Sequence, residues 1–106
     1  IKTSGVNVAA VEVEQALARH PAVKSAHVVG VPHPTRGETV AAFVVPRPET
    51  APAADELQAF CRETLASYKV PRHVFVIAEA ELPLTASGRA EKGALRRRAQ
   101  AALGEQ

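Results

Sequence analysis

The spacing of apolar residues divides the first part of the chain into extended and helical segments. Residues 1–8 carry β-branched side chains on both sides of a Ser-Gly pair, which predicts a short hairpin. In residues 9–19, Ala10, Val13 and Leu17 recur at intervals of three and four and therefore share one face of a helix. We expect this helix to end before Pro21, because the residue that precedes a proline is pushed out of the helical region.

Two valine-rich runs, residues 23–31 and 39–45, predict neighbouring strands. From residue 40 the second run reads V-A-A-F-V-V, apolar at every position, so this strand should be central and covered on both faces. Residues 32–38 between the two runs are rich in proline and glycine and predict a loop.

The clearest helical pattern follows a proline-rich connection and begins near Asp55. Apolar and small side chains then recur at helical spacing, at Leu57, Phe60, Cys61, Thr64, Leu65 and Tyr68. Residues 69–71 interrupt the pattern, residues 74–77 predict a third strand, residues 82–88 a loop, and residues 91–102 a terminal helix. This order of elements predicts an α+β fold, with a small mixed sheet of about three strands, flanking helices and an N-terminal hairpin.

Composition narrows the class of protein. A length of 106 residues with 46% apolar and 23% charged side chains fits one globular domain. The net charge of +2 does not require nucleic acid as a partner, and the aromatic residues Phe43, Phe60, Tyr68 and Phe75 all fit the predicted core. No apolar run approaches the roughly 18 residues of a membrane span. The histidines lack metal-ligand spacing, so we expect no metal site.

Two further features concern the origin of the chain. Cys61 is the single cysteine and occupies an apolar helix position, so we expect a buried structural thiol and a reducing, cytoplasmic compartment. The chain starts at Ile1 and contains no methionine, which leads us to expect a fragment of a longer protein.

Short motifs are distributed over the whole chain. They are IKTSGVNV at residues 1–8, VEVE at 11–14, HPAV at 20–23, VVGVP at 28–32, GE at 37–38, YKVP at 68–71, and LP at 82–83 with Gly88 and AL at 94–95. In order and spacing they resemble the C-terminal lobe of acyl-CoA synthetases, the AMP-forming members of the acyl-adenylate-forming ligase superfamily. Each motif is weak singly, but together in register they are specific.

The resemblance implies that residues 1–106 are the mobile C-terminal lobe of such a ligase, without its large N-terminal ATP-binding lobe. In the family a carboxylate attacks ATP, with Mg²⁺ assisting, and forms an acyl-adenylate. The thiol of CoA, or of a carrier protein's phosphopantetheine, then displaces AMP. The small lobe rotates between the two steps. We therefore expect ATP, Mg²⁺ and CoA to act in the full enzyme, none of them to bind this fragment alone, and the N-terminal lobe to be its partner.

The resemblance also implies three sites. Ser4, Gly5 and Asn7 match the loop that enters the active site for thioester formation, where glycine leaves room for the pantetheine thiol. Lys69 and Arg72 are candidates for contacts with the CoA phosphates, as is the run formed by Arg96, Arg97 and Arg98. A turn glycine and solvated surface cations are the plain structural explanations, and the run falls late in the terminal helix, where cations complement the helix dipole.

Arg89 occupies the position at which the family has a lysine that contacts the carboxylate and phosphates during adenylation. Arginine keeps the positive charge but is bulkier and planar, so the exchange is not conservative at a tight site. It leaves open a weakened adenylation step or a regulatory lobe. Two competing functions also remain open, namely the lobe of an adenylation domain that loads a carrier protein and a non-catalytic basic binding module.

Overall fold

The computed structural model describes residues 1–104, so the last two residues of the predicted domain, 105–106, lie outside the described part. The fold is α+β, as predicted, and its layers are a central sheet with helices on both faces. In chain order the elements are β1 (Lys2–Thr3), β2 (Val6–Asn7), α1 (Ala10–Ala18), β3 (Val23–His33), β4 (Gly37–Pro46), α2 (Ala54–Arg62), β5 (His73–Val76) and α3 (Lys92–Gly104).

The sheet is mixed and contains five strands in the described residues, more than the three predicted. Strands β3 and β4 form a long antiparallel pair, and β5 runs parallel to β4 from Ala41↔His73 to Val44↔Val76. The difference arises at the N-terminus, where the predicted hairpin joins the sheet through the pair Thr3↔Gly37. Strand β3 therefore lies at one edge of the sheet and has only β4 as a neighbour in the described part of the chain.

Strand β4 is the centre of the molecule. Its residues from Thr39 to Val45 are all buried, which confirms that it is covered on both faces. On one face α1 and α2 pack through Val13, Leu17 and Leu57, and on the other α3 packs through Leu95 and Ala99. An isolated helix of 9 to 13 residues is marginally stable in water, so these helices depend on packing against the sheet.

The second helix ends earlier than its apolar pattern predicted. Helix α2 ends at Arg62, and a single 3₁₀ turn over Ser67–Lys69 follows a short connection. The reason is tertiary, because the chain must reach β4, where Pro71 is buried and the Arg72 amide donates to the Val40 carbonyl at 2.9 Å. Tyr68 is consequently 43% exposed, so its assignment to the core was wrong.

Two smaller differences concern element ends. The loop predicted for residues 32–38 is shorter, because β3 continues to His33 and β4 begins at Gly37. Helix α3 runs from Lys92 to Gly104, which places Arg96, Arg97 and Arg98 in its middle rather than late in the helix. None of the helices within residues 1–104 combines the length and the apolar character that crossing a membrane requires.

Candidate functional site

A pocket of about 260 Å³ opens where α2, the 3₁₀ turn and the starts of β4 and β5 meet. Three arginines, Arg36, Arg62 and Arg72, are among the residues that line it. The other lining residues are a mixture of polar and apolar side chains: Thr3, Thr39, Val40, Gln58, Ser67, Tyr68, Val70 and Pro71. An array of arginines around a concave surface is suited to phosphate, because guanidinium groups bind its oxygens in a fork.

Local hydrogen bonds hold two of these arginines in place. The Gln58 side-chain amide on α2 donates to the carbonyls of Pro71 and Arg72, each at 3.1 Å, and ties the segment before β5 to that helix. At the turn between β3 and β4, His33 Nδ1 accepts from the Arg36 amide at 3.2 Å. The segments that carry Arg36 and Arg72 are therefore anchored independently of any ligand.

The pocket arginines differ from several other cations of the chain in their ion pairing. The ion pairs of residues 1–104 include Lys24, Lys69, Lys92, Arg97 and Arg98, but none of the three pocket arginines. The three arginines thus line one pocket, and none of them has a carboxylate ion-pair partner in the described part of the chain. Such an arrangement favours an anion that supplies the missing negative charge.

Lys69, one of the predicted phosphate contacts, points elsewhere. Its ammonium pairs with Glu12 of α1 at 2.9 Å and lies 5.6 Å from the Tyr68 ring centroid. The hydrogen bond to Glu12 raises the pKa of this ammonium. Lys69 therefore joins α1 to the 3₁₀ turn and does not line the pocket.

The predicted loop at Ser4 and Gly5 forms a two-residue hairpin turn. Both residues have positive φ, 49° at Ser4 and 81° at Gly5, as a type I′ turn requires. The Ser4 amide donates to the Arg36 carbonyl at 2.8 Å, so the turn lies beside the segment that leads to the pocket. A side chain at Gly5 would meet open space within this chain, and the turn conformation alone accounts for glycine there. Asn7 is exposed on β2.

Arg89 lies on a separate hairpin that precedes α3. A bridge between Leu84 and Ala90 closes this hairpin, and the Thr85 amide donates to the Arg89 carbonyl at 2.7 Å. Gly88, with φ of 85°, makes the tight turn, and the Arg89 amide donates to the Thr85 hydroxyl at 3.2 Å. The Arg89 side chain is exposed, and none of the side-chain hydrogen bonds or ion pairs of residues 1–104 involves its guanidinium.

The fold brings together some of the predicted site residues and separates others. Arg72 and the turn at Ser4 and Gly5 lie at or beside the pocket, whereas the lining includes no residue of the hairpin that carries Arg89. The run in α3 faces other partners, since Arg96 Nε donates to the Gly30 carbonyl at 3.0 Å and Arg97 and Arg98 are paired with glutamates.

Arg36 and Arg62 were not identified from the sequence. They lie far apart along the chain, and each is an isolated cation in a turn or at a helix end. No local pattern links them to Arg72, so only the three-dimensional arrangement identifies the cluster.

The histidines and the cysteine follow ordinary structural roles. The His20 ring pairs with Glu56 at 3.0 Å, and His33 and His73 line a second, more apolar pocket of about 430 Å³ with Leu103. Among residues 1–104 no group of three or more His, Cys, Asp or Glu side chains is arranged to hold a metal ion. Cys61 is fully buried, as predicted, and burial raises the pKa of its thiol to about 11.

Comparison with known proteins adds family information to this geometry. A family model described as the AMP-binding enzyme C-terminal domain matches residues 12–89. An acyl-CoA ligase of Ajellomyces capsulatus is 39% identical over 108 residues, which covers 96% of this chain and 18% of that protein. A medium/long-chain-fatty-acid–CoA/3-oxocholest-4-en-26-oate–CoA ligase of Mycobacterium marinum is 46% identical over 81 residues, 76% of this chain and 15% of that protein.

Solved structures of related enzymes contain the same fold over nearly the whole chain. An amide bond synthetase of Marinactinospora thermotolerans superposes with a TM-score of 0.86 at 37% identity, over 92% of this chain and 19% of that one. An acyl-CoA synthetase of Brucella canis superposes with a TM-score of 0.84 at 36% identity, over 99% of this chain and 19% of that one. The chain therefore spans less than a fifth of the length of each of these proteins.

Proposed function

Since the chain belongs to the AMP-binding enzyme C-terminal domain family, we propose that it is the mobile C-terminal lobe of an AMP-forming acyl-CoA ligase. The full enzyme adenylates a carboxylic acid with ATP and then transfers the acyl group to the thiol of CoA. In this proposal the N-terminal lobe, which supplies the ATP, Mg²⁺ and acyl sites, is the partner of residues 1–106. The small share of each relative that the chain covers supports a large missing lobe.

The observation that carries the proposal is the pocket with three unpaired arginines. CoA is a nucleotide with a pyrophosphate and a further phosphate, so a surface that binds it must offer several cations. Arg36, Arg62 and Arg72 offer them at one place, beside the turn at Ser4 and Gly5. We assign the CoA phosphates to this pocket and the pantetheine chain to the turn, where a flat glycine surface leaves room for a thiol to pass.

Arg89 acts in the other half-reaction in this proposal. Its hairpin lies apart from the arginine pocket, as expected if the lobe presents one surface for adenylation and another for thioester formation. An exposed and unpaired guanidinium can approach a carboxylate and a phosphate contributed by the other lobe. Lys69, in contrast, is already paired with Glu12 and positions the pocket wall rather than contacting phosphate.

We also propose a reducing, cytoplasmic compartment for the enzyme. The support comes from Cys61, a free and buried thiol.

A second candidate function concerns the acceptor. One of the solved relatives is named an amide bond synthetase, which favours an amine in place of the thiol as the second candidate acceptor. A carrier-protein phosphopantetheine is the third acceptor. The arginine pocket favours CoA over a simple amine, because an amine carries no phosphate to bind there.

The experiment that tests the proposal uses the full-length protein. It is supplied with ATP, Mg²⁺ and one of butyrate, octanoate, palmitate or benzoate, and pyrophosphate exchange measures adenylation. CoA, a phosphopantetheinylated carrier protein or a primary amine is then added, and mass spectrometry identifies the acylated product. We expect pyrophosphate exchange with at least one acid and an acyl-CoA product.

The variant Arg36→Gln with Arg72→Gln refines the test. It should raise the KM for CoA by about 100-fold, the cost of about two charge-assisted contacts, and leave pyrophosphate exchange unchanged. An amide product, or a KM for CoA that does not respond to the double variant, would contradict the assignment of this pocket.

A further inference from the structure

Strand β3 pairs with β4 along one side, and side chains bond the backbone of its outer edge at Val28. The Val28 amide donates to Glu14 Oε2 at 2.8 Å, and the Val28 carbonyl accepts from Lys92 Nζ at 2.8 Å. Lys92 Nζ also pairs with Glu14 Oε2. Glu14 belongs to α1 and Lys92 is the first residue of α3, so three elements meet at one residue of β3. We call this set, Glu14, Val28 and Lys92, the clasp.

The clasp lies immediately after the hairpin that carries Arg89. Within that hairpin the Glu91 amide donates to the Pro83 carbonyl at 2.9 Å. The Glu91 carboxylate then accepts from the amides of Gly93 and Ala94 at 2.8 and 3.1 Å, and so caps the start of α3. Lys92 follows Arg89 by only three positions, so the clasp lies directly at the base of the hairpin that carries Arg89.

The charges of the clasp are partly withdrawn from water. The side chains of Glu14 and Lys92 are 22% and 40% exposed, respectively. The Lys24–Glu79 pair, whose lysine lies on the same strand, has side chains that are 45% and 63% exposed and bonds no backbone group of the edge within the described residues. Ion pairs that also satisfy backbone groups are more directional than exposed pairs, so the two lysines should differ in effect.

We propose that Lys92 is a positioning residue for adenylation, which acts by tying the start of α3 to α1 and β3 and thereby holds the Arg89 hairpin in place. This inference rests on the proposed function for its catalytic consequence. Its structural part, the control of the hairpin by the clasp, is independent of that function. A displacement of about 1 Å in a catalytic group can cost as much as about 100-fold in rate, so a device that fixes the hairpin has a measurable effect.

Hydrogen exchange tests the structural part in the full-length protein. Lys92→Met removes the charge but keeps the unbranched stem and the helix propensity. We expect peptides that cover residues 83–90 to exchange about 10-fold faster in this variant, because local opening becomes easier. Lys92→Arg should restore slow exchange, and the matched control Lys24→Met should leave these peptides unchanged. Unaltered exchange in Lys92→Met would overturn the proposal.

Separate assays of the two half-reactions test the catalytic part. For Lys92→Met we expect the rate of pyrophosphate exchange to fall about 10-fold with little change in the KM for ATP. Thioester formation from supplied octanoyl-adenylate should stay at the wild-type rate, and Lys92→Arg should recover adenylation. Equal losses in both half-reactions would show a general structural role and refute positioning.

Different results would contradict the proposed function and the role of the clasp. A wild-type enzyme that exchanges pyrophosphate with none of the acids contradicts the proposed function, while hydrogen exchange still decides whether the clasp holds the hairpin. Glu14→Gln provides a further check, since it keeps an acceptor for the Val28 amide but removes the negative charge. Combined with Lys92→Met, it should add little to the exchange rate, because both changes break the same contact.

Discussion

At the residue scale, Arg89 stands at the tip of a short hairpin that precedes α3. The surrounding hairpin is well defined by its backbone bonds, yet the side chain is exposed and unpaired in the described residues. A lysine at this position would place a compact ammonium on a flexible stem, whereas arginine presents a planar fork that needs more room. Under the proposed function, we therefore expect the rate of adenylation to respond to a substitution at Arg89.

We predict that Arg89→Lys in the full-length enzyme raises the rate of adenylation, by as much as about 100-fold, the effect of one electrostatic contact in a catalytic site. Thioester formation from supplied acyl-adenylate should change little, because the hairpin lies apart from the arginine pocket. A single-turnover assay measures both steps. Arg47→Lys is the matched control, since Arg47 is exposed in the connection after β4 and should not respond. An unchanged or slower adenylation step in Arg89→Lys would identify arginine as the adapted catalytic residue.

His73 gives the chain a dependence on pH. Burial in the second pocket, and to a lesser extent Arg72 and His33, lower the pKa of His73 below its ordinary value of 6.5. Because the unfolded chain binds the proton more readily, the contribution of His73 to the free energy of unfolding is fully present above pH 6.5 and is lost as the pH drops through the folded pKa.

We predict that the stability of the chain falls between about pH 7.5 and about pH 5.5 and that His73→Gln reduces this fall. Urea unfolding at the two pH values measures the free energy in each case. His27, whose pKa is also lowered mainly by burial, should contribute in the same direction, so the variant in which both are glutamine should depend least on pH. Parallel pH profiles for the wild type and the double variant would contradict the assignment.

At the scale of elements, the helices hold the fold through a few side chains that reach the sheet. Helix α2 illustrates this, since Leu57 and Cys61 are its only fully buried side chains. Both belong to the buried cluster on the face of the sheet that α1 also covers. Stability is therefore concentrated on a narrow stripe of the helix, while most of its other positions tolerate exchange.

We predict that Leu57→Ala lowers the free energy of unfolding by about 2–5 kcal/mol, the usual cost of removing a large side chain from a packed core. Leu84→Ala is the matched control, because Leu84 is 58% exposed and should change stability by less than about 0.5 kcal/mol. Chemical denaturation of both variants compares them directly. Similar losses at the two positions would mean that α2 is not anchored through Leu57.

At the scale of the whole molecule, the sheet is covered on both faces, and each face has its own cluster of buried residues. Within residues 1–104, both faces of the sheet are therefore packed by residues of this chain. The candidate site residues, in contrast, lie at the surface, with Arg89 on one hairpin and the arginine pocket at another place. Under the proposed function, these exposed groups act when the N-terminal lobe faces them.

We predict that residues 1–106 expressed alone fold with one cooperative thermal transition but show no pyrophosphate exchange with ATP and any of the four acids. The physical reason is that the sequence has no glycine-rich loop of the kind that cradles nucleotide phosphates. Calorimetry and radiolabelled pyrophosphate measure the two properties. Robust exchange by this chain alone would refute its role as one lobe of a larger enzyme.

The order of the elements, the α+β class and the buried central strand all follow from the sequence without further information. These features depend on the spacing of apolar and polar residues that are close together in the sequence, and this spacing can be determined from the sequence alone. The series of short motifs likewise identified the family, because six or more of them recur in the same order and register. Local periodicity was less reliable at element ends, since the apolar spacing continues to Tyr68 although α2 ends at Arg62.

Which distant residues meet depends instead on the tertiary structure. Folding joined the hairpin to β4, ended α2 where the chain turns towards β5, gathered Arg36, Arg62 and Arg72 around one pocket, and formed the clasp. In each case the partners are separated by many residues, and their approach is set by the packing of helices on both faces of the sheet. The spacing of side chains along the sequence does not predict such contacts, because they depend on how whole helices and strands pack against each other.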